Sequence, residues 1–130
     1  ELILSFAKAV ELLNKNYEKD MEYMQDLKEY FAIKIEKNID NVKFNSLINI
    51  EKSNPKILNV SFLGVKGEVL THFLGMNKKG NSRILKNMNL KDEEINGAIR
   101  FSFSYENTKE DIDEVLEILK SGVNQIRKMR

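Results

Sequence analysis

The chain contains no cysteine, which excludes disulfides, thiolate metal sites and a cysteine nucleophile in one step. No apolar run approaches the ~20 residues that a membrane helix needs, and no basic-then-apolar leader precedes the first elements. Charge of one sign is also lacking. The 21 basic and 20 acidic residues leave a formal net charge of +1, so no global field favours nucleic acid or an anionic membrane surface. Together these absences predict a soluble, cytoplasmic protein with neither nucleic acid nor membrane as partner. Internal repeats and low-complexity stretches are missing as well.

What remains is an ordinary globular composition. At 130 residues, with 42% hydrophobic and 32% charged, the chain fits a single domain (1–130) with a small core. It opens on Glu1 inside an amphipathic run with no capping signal, so it is expected to be cut from a longer polypeptide. Phe6, Val10, Leu13, Tyr17, Met21, Met24, Leu27, Phe31 and Ile35 recur at spacings of three and four. This predicts one long amphipathic helix over 1–37, packed on its own domain. A coiled-coil arm fits less well, because the spacing drifts as a straight helix does and the charges form no clean heptads.

The polar run from Asn38 to Asn41 should end that helix, and residues 42–45 alternate as a short strand. A second strand follows Pro55, with Leu58, Val60 and Phe62 on one face and Ile57, Asn59 and Ser61 on the other. Gly64 and Gly67 turn into a helix through Val69, Leu70, Phe73 and Leu74, with Gly75 as its expected cap. Ser82 starts a short helix through Met88, and Asp92 begins another turn. Residues 98–104 read as a strand with Ile99, Phe101 and Phe103 facing the core and Arg100, Ser102 and Ser104 facing away. Thr108 and Asp111 form a capping box that opens the last helix, and Lys128 and Arg130 complement its C-terminal dipole. The fold class is therefore α+β: a small, mostly antiparallel sheet over 42–130, helices on one face, and the long helix ahead of it.

Few residues could carry chemistry. Arg100 stands among serines on a polar strand face, where an arginine by itself more often belongs to a solvated surface or an ion pair. His72 is the single histidine, mid-helix between Leu70 and Phe73, and reads as a half-buried packing residue rather than a general base. The Gly64 to Gly67 turn lacks the lysine-serine ending and the three-glycine spacing of phosphate-binding loops. Lys78, Lys79 and Lys86 have no interleaved aromatics and read as solvated loop.

Four motifs in order carry a resemblance: Pro55-Lys-Ile-Leu-Asn-Val-Ser-Phe62, Gly64-Val-Lys-Gly-Glu68, Ser82-Arg-Ile-Leu85 and Ala98-Ile-Arg-Phe-Ser102. They resemble the C-terminal domain of cysteine desulfurases, pyridoxal-phosphate (PLP) enzymes related to class V aminotransferases. The resemblance spans nearly the whole chain but only the C-terminal portion of such an enzyme. It implies the small domain of a fold-type I PLP enzyme, joined through the long helix to a large PLP-binding domain. For the parent enzyme it implies sulfur transfer from L-cysteine, iron-sulfur cluster assembly, a homodimeric partner and a sulfur-acceptor protein. Arg100 would then bind the carboxylate of the substrate cysteine, a task suited to a planar fork of donors.

The chain departs from this family at one place. The segment resembling Val-Ser-x-Gly-Ser-Ala-Cys, whose cysteine receives the sulfur, is missing between Met76 and Asn77. The PLP lysine of the family also lies upstream of this region. The chain alone is therefore expected to hold no PLP and to be inactive. The competing reading is a free-standing, non-catalytic binding or scaffold module derived from that domain.

Overall fold

The computed structural model describes residues 2–46, 48, 53–76 and 96–129. Its elements run α1 (Leu2–Asn38), β1 (Val42–Phe44), β2 (Ile57–Phe62), α2 (Gly67–Met76), β3 (Ala98–Ser102) and α3 (Lys109–Lys128). The 37 residues of α1 contain neither proline nor glycine, so nothing interrupts its hydrogen-bond ladder. It stops just before Asn41, whose φ of 54° places the backbone in the left-handed region that a short polar side chain tolerates.

The three strands form one antiparallel sheet in the order β1-β2-β3. Directly opposed residues share a face, and the register sets Leu58 against Phe101, Val60 against both Ile99 and Phe44, and Val42 against Phe62. The apolar face of β2 and β3 is fully buried, as their alternation predicts: Leu58, Val60, Phe62, Ile99 and Phe101 join Phe103 in a single core. Ile112, Val115, Leu116, Leu119 and Val123 of α3 enter the same core. From α1, Phe31 sets its ring edge-on to Phe101 at 5.0 Å and 85°, and lies 6.2 Å from Phe103. The result is the expected α+β architecture.

Two close approaches need glycine. A Cβ on Gly97 would lie 2.1 Å from the Phe62 carbonyl oxygen, where Phe62 N–H donates to Gly97 O at 2.9 Å. A Cβ on Gly122 would meet Phe73 at 2.7 Å and Leu70 at 2.9 Å, so α2 lies against α3 at the one position without a side chain. The start of α3 carries the predicted capping box: Asp111 N–H donates to Thr108 Oγ1 at 3.2 Å, and Thr108 N–H donates to Asp111 Oδ2 at 3.0 Å. At its other end Arg127 donates to the carbonyls of Leu63 at 2.9 Å and Asn41 at 3.2 Å, tying both strand-end loops to the helix.

Three expectations need correction. Only the second half of α1 packs on this domain: from Met24 onward its stripe is buried, whereas Ile3, Phe6, Val10 and Tyr17 of the same stripe are exposed, Phe6 by 72%. Helical periodicity reports that a face is meant to be covered, and not by what. His72 is exposed rather than half-buried, because α2 turns Leu70 and Leu74 inward and leaves position 72 on the outer side. Gly75 lies inside the last turn of α2, which continues to Met76, and does not cap it. The helix expected from Ser82, the turn at Asp92, the lysines 78, 79 and 86 and the Met76 to Asn77 junction all lie outside the described residues.

Candidate functional site

The strand face turned away from the core is built from polar residues in register. Asn59 of β2 stands directly opposite Arg100 of β3, and Ser61 stands opposite Lys43 of β1. Asn45 extends the first row one residue beyond β1, since its N–H donates to Asn59 O at 2.9 Å. Its side-chain amide then donates twice, to Asn59 Oδ1 at 3.0 Å and to Ser61 Oγ at 2.7 Å. Asn59 and Ser61 are consequently buried although the face is polar, which simple alternation did not foresee.

Arg100 is partly exposed at the end of that row. Among the described residues its guanidinium has no hydrogen-bond or ion-pair partner, so no ion pair forms there, and a partly exposed arginine without a partner is also what a solvated strand face gives. A partnerless guanidinium flanked by a fixed amide is suited to receive a carboxylate through two parallel N–H bonds. His72 lies on α2, with no hydrogen bond to this row among the described residues. In the glycine turn after β2 three amides are already engaged: Val65 N–H donates to Phe62 O, Gly67 N–H to Asn96 O and Leu70 N–H to Lys66 O.

Sequence reasoning missed one buried cation. Lys28 is fully buried in α1, where its ammonium donates to Ser53 Oγ at 2.8 Å and to Asn54 O at 3.1 Å. Loss of hydration lowers its pKa from the ordinary lysine value, opposed by the charge of Glu29. Gln25, one turn earlier, donates to the Ile48 carbonyl and to Glu29 Oε1, so the two side chains tie Ile48, Ser53 and Asn54 to the helix. The spacing of Met24, Lys28, Phe31 and Ile35 could have revealed this, because position 28 falls on the apolar stripe.

A cavity of about 610 Å³ opens beside the polar face, lined by Lys43, Lys66, Asn45, Ser61 and Asn96 together with apolar residues of the Gly64 turn and of the end of α3. Arg100 is not in its wall. A PLP site needs an amine for the aldehyde, an acid facing the pyridine nitrogen and a phosphate cradle. The cavity wall offers two lysines but no carboxylate, and the buried Lys28 amine is already engaged by Ser53 and Asn54. The described residues lining this cavity therefore do not fit that cofactor by themselves.

The model of the aminotransferase class-V family matches residues 2–115. The chain belongs to that family. It is 33% identical to the cysteine desulfurase IscS of Clostridium botulinum over 140 aligned positions, which cover 98% of this chain and 35% of that protein. Similarity extends to the IscS of Dictyoglomus turgidum, 29% identical over 96% of this chain and 34% of the relative. The mitosomal cysteine desulfurase of Encephalitozoon cuniculi is 28% identical over 98% and 32%. Among solved structures, a NifS-like protein from Rickettsia africae superposes with a TM-score of 0.67 at 21% identity, covering 87% of this chain and 31% of that one. The class-V chain thus spans about a third of the length of the curated relatives it matches. It is similar to one part of those cysteine desulfurases, the part that the four sequence motifs resemble.

Proposed function

We propose that this chain is the C-terminal domain of a PLP-dependent cysteine desulfurase in which Arg100 binds the carboxylate of L-cysteine, and that it is not catalytic alone. The observation that supports the reading is the Arg100 guanidinium, without a partner among the described residues, at the end of the Asn45, Asn59 row in a chain similar to about a third of the length of such enzymes. PLP supplies the electron sink for this chemistry and is held by the large domain outside this chain. The exposed apolar half of α1, from Ile3 to Tyr17, is a surface suited to that large domain, because it continues the stripe already buried from Met24 onward. A homodimer, a sulfur-acceptor protein, iron-sulfur cluster assembly and a cytoplasmic setting belong to the same reading of the whole enzyme.

One observation favours the second reading, a non-catalytic scaffold module. The alignment to the botulinum relative holds 140 positions, at least ten more than the 130 residues here can fill, and no cysteine is present. Sulfur accepted on a thiol would have to reach a cysteine outside this chain.

The test is substitution of Arg100 by lysine in the enzyme that contains this chain. Lysine keeps the charge and loses the fork, so the KM for L-cysteine should rise roughly 10-fold or more, the scale of a hydrogen bond to a charged group. Unchanged KM and kcat would remove the role. The purified 130-residue chain mixed with PLP should show only the spectrum of free PLP after gel filtration and form no alanine from cysteine. A retained chromophore or alanine production would overturn the assignment of PLP to the rest of the enzyme.

A further inference from the structure

We infer that Asn59 is a second carboxylate-binding residue beside Arg100, and that Asn45 is the positioning residue that aims it. The inference rests on the reading of Arg100 as a carboxylate site and extends it to a two-residue receptor for an amino acid with a free α-carboxylate.

The backbone of Asn59 is occupied on both sides. Its N–H donates to Ser46 Oγ at 2.8 Å, and its carbonyl accepts from Asn45 N–H at 2.9 Å and Ser46 N–H at 3.4 Å. Its side-chain oxygen accepts from Asn45 Nδ2 at 3.0 Å, the same nitrogen whose other hydrogen goes to Ser61 Oγ at 2.7 Å. Both hydrogens of the Asn45 amide are therefore spent, and the Asn59 oxygen is held on the β1 side. The two ends of a carboxamide diverge, so fixing the oxygen toward β1 turns the amino end away from it.

That amino group has no partner among the described residues, although Asn59 is only 9% exposed. That nitrogen is not among the fully buried polar atoms left without a partner, so it is an accessible part of the side chain and open to a ligand. The neighbour on the remaining side is Arg100, the direct cross-strand partner of Asn59. Directly opposed side chains start within roughly 5 Å of each other. One carboxylate can then share its two oxygens between the guanidinium and the carboxamide. The arrangement also favours carboxylate over an uncharged group, since the guanidinium of Arg100 and the amino group of Asn59 are both donors.

The experiment uses the full enzyme and two substrates, the free amino acid and its methyl ester, which lacks the anionic carboxylate. Asn59→Leu removes the donor at similar volume, and Asn59→Asp keeps the oxygen bonded to Asn45 while replacing the donor with an acceptor. Each should raise KM for the free amino acid about tenfold with kcat unchanged, and leave KM for the ester within about twofold. Asn45→Ala should raise the free-acid KM by a smaller factor, with Asn59 intact. Equal losses for acid and ester would show that Asn59 only supports the strand and would overturn the inference. Unchanged KM in both Asn59 variants alongside a raised KM in Arg100→Ala would overturn it too, leaving the Arg100 reading standing. No change in Arg100→Ala would sink that reading itself. If Asn59→Leu does not fold, Asn59→Asp and Asn45→Ala decide the matter.

Discussion

Truncating Phe101 to alanine should remove a large share of the stability of this domain while leaving the adjacent strand face untouched. Phe101 is fully buried in β3, opposite Leu58, with the Phe31 ring edge-on at 5.0 Å. It thus touches both the neighbouring strand and the helix that lies across the sheet. Phenylalanine-to-alanine changes in such places cost about 3–5 kcal/mol, of which the aromatic pair accounts for roughly 0.5–1.5. Domains of this kind unfold at about 5–15 kcal/mol, so roughly a fifth or more of the total is at stake. With a urea slope of about 2 kcal/mol/M, the unfolding midpoint followed by far-UV circular dichroism should fall by roughly 1.5–2.5 M. Phe101→Leu keeps most of the volume and should lose no more than about 1.5 kcal/mol. Arg100→Ala, one residue away but on the opposite face and partnerless among the described residues, should stay within about 0.5 kcal/mol of the parent. A Phe101→Ala midpoint within about 0.3 M of the parent, or an Arg100→Ala loss as large as that of Phe101→Ala, would refute the face assignment.

Thr108→Ala removes the bond from Asp111 N–H to Thr108 Oγ1, leaves the backbone bond from Thr108 N–H to Asp111 Oδ2, and should cost about 1 kcal/mol, read as a midpoint drop near 0.5 M; an unchanged midpoint would mean that the threonine cap contributes nothing. Lys28 gives a pH signature. Its folded pKa is lowered by burial, so between that value and 10.5 the unfolded chain binds more protons than the folded one, and stability from this group rises with pH through that window. The parent should therefore gain on Lys28→Met as pH is raised from neutrality toward 10.5; a stability difference that does not vary with pH would contradict the burial of a charged ammonium.

Local signals decided much of this protein. The stripe of α1, the alternation of Leu58, Val60 and Phe62 and of Ile99, Phe101 and Phe103, and the Thr108 to Asp111 box depend on residues a few positions apart. Such spacing is enough to set helix, strand and cap. The family motifs around Asn59 and Arg100 were legible for the same reason. What the sequence left open lies in pairings across long separations. Lys28 became a buried cation only because Ser53 and Asn54 were folded over it, and Asn59 became a nearly buried amide with an open donor only because Asn45 crossed from the next strand. His72 looked half-buried in a helical window and proved exposed once α2 had chosen which side to lay on α3. The apolar stripe of α1 was readable along its length, but which half meets this sheet and which half stays uncovered was set by where the strands end. Periodicity fixes the face that a segment must bury, whereas the partner that buries it is a property of the assembled chain.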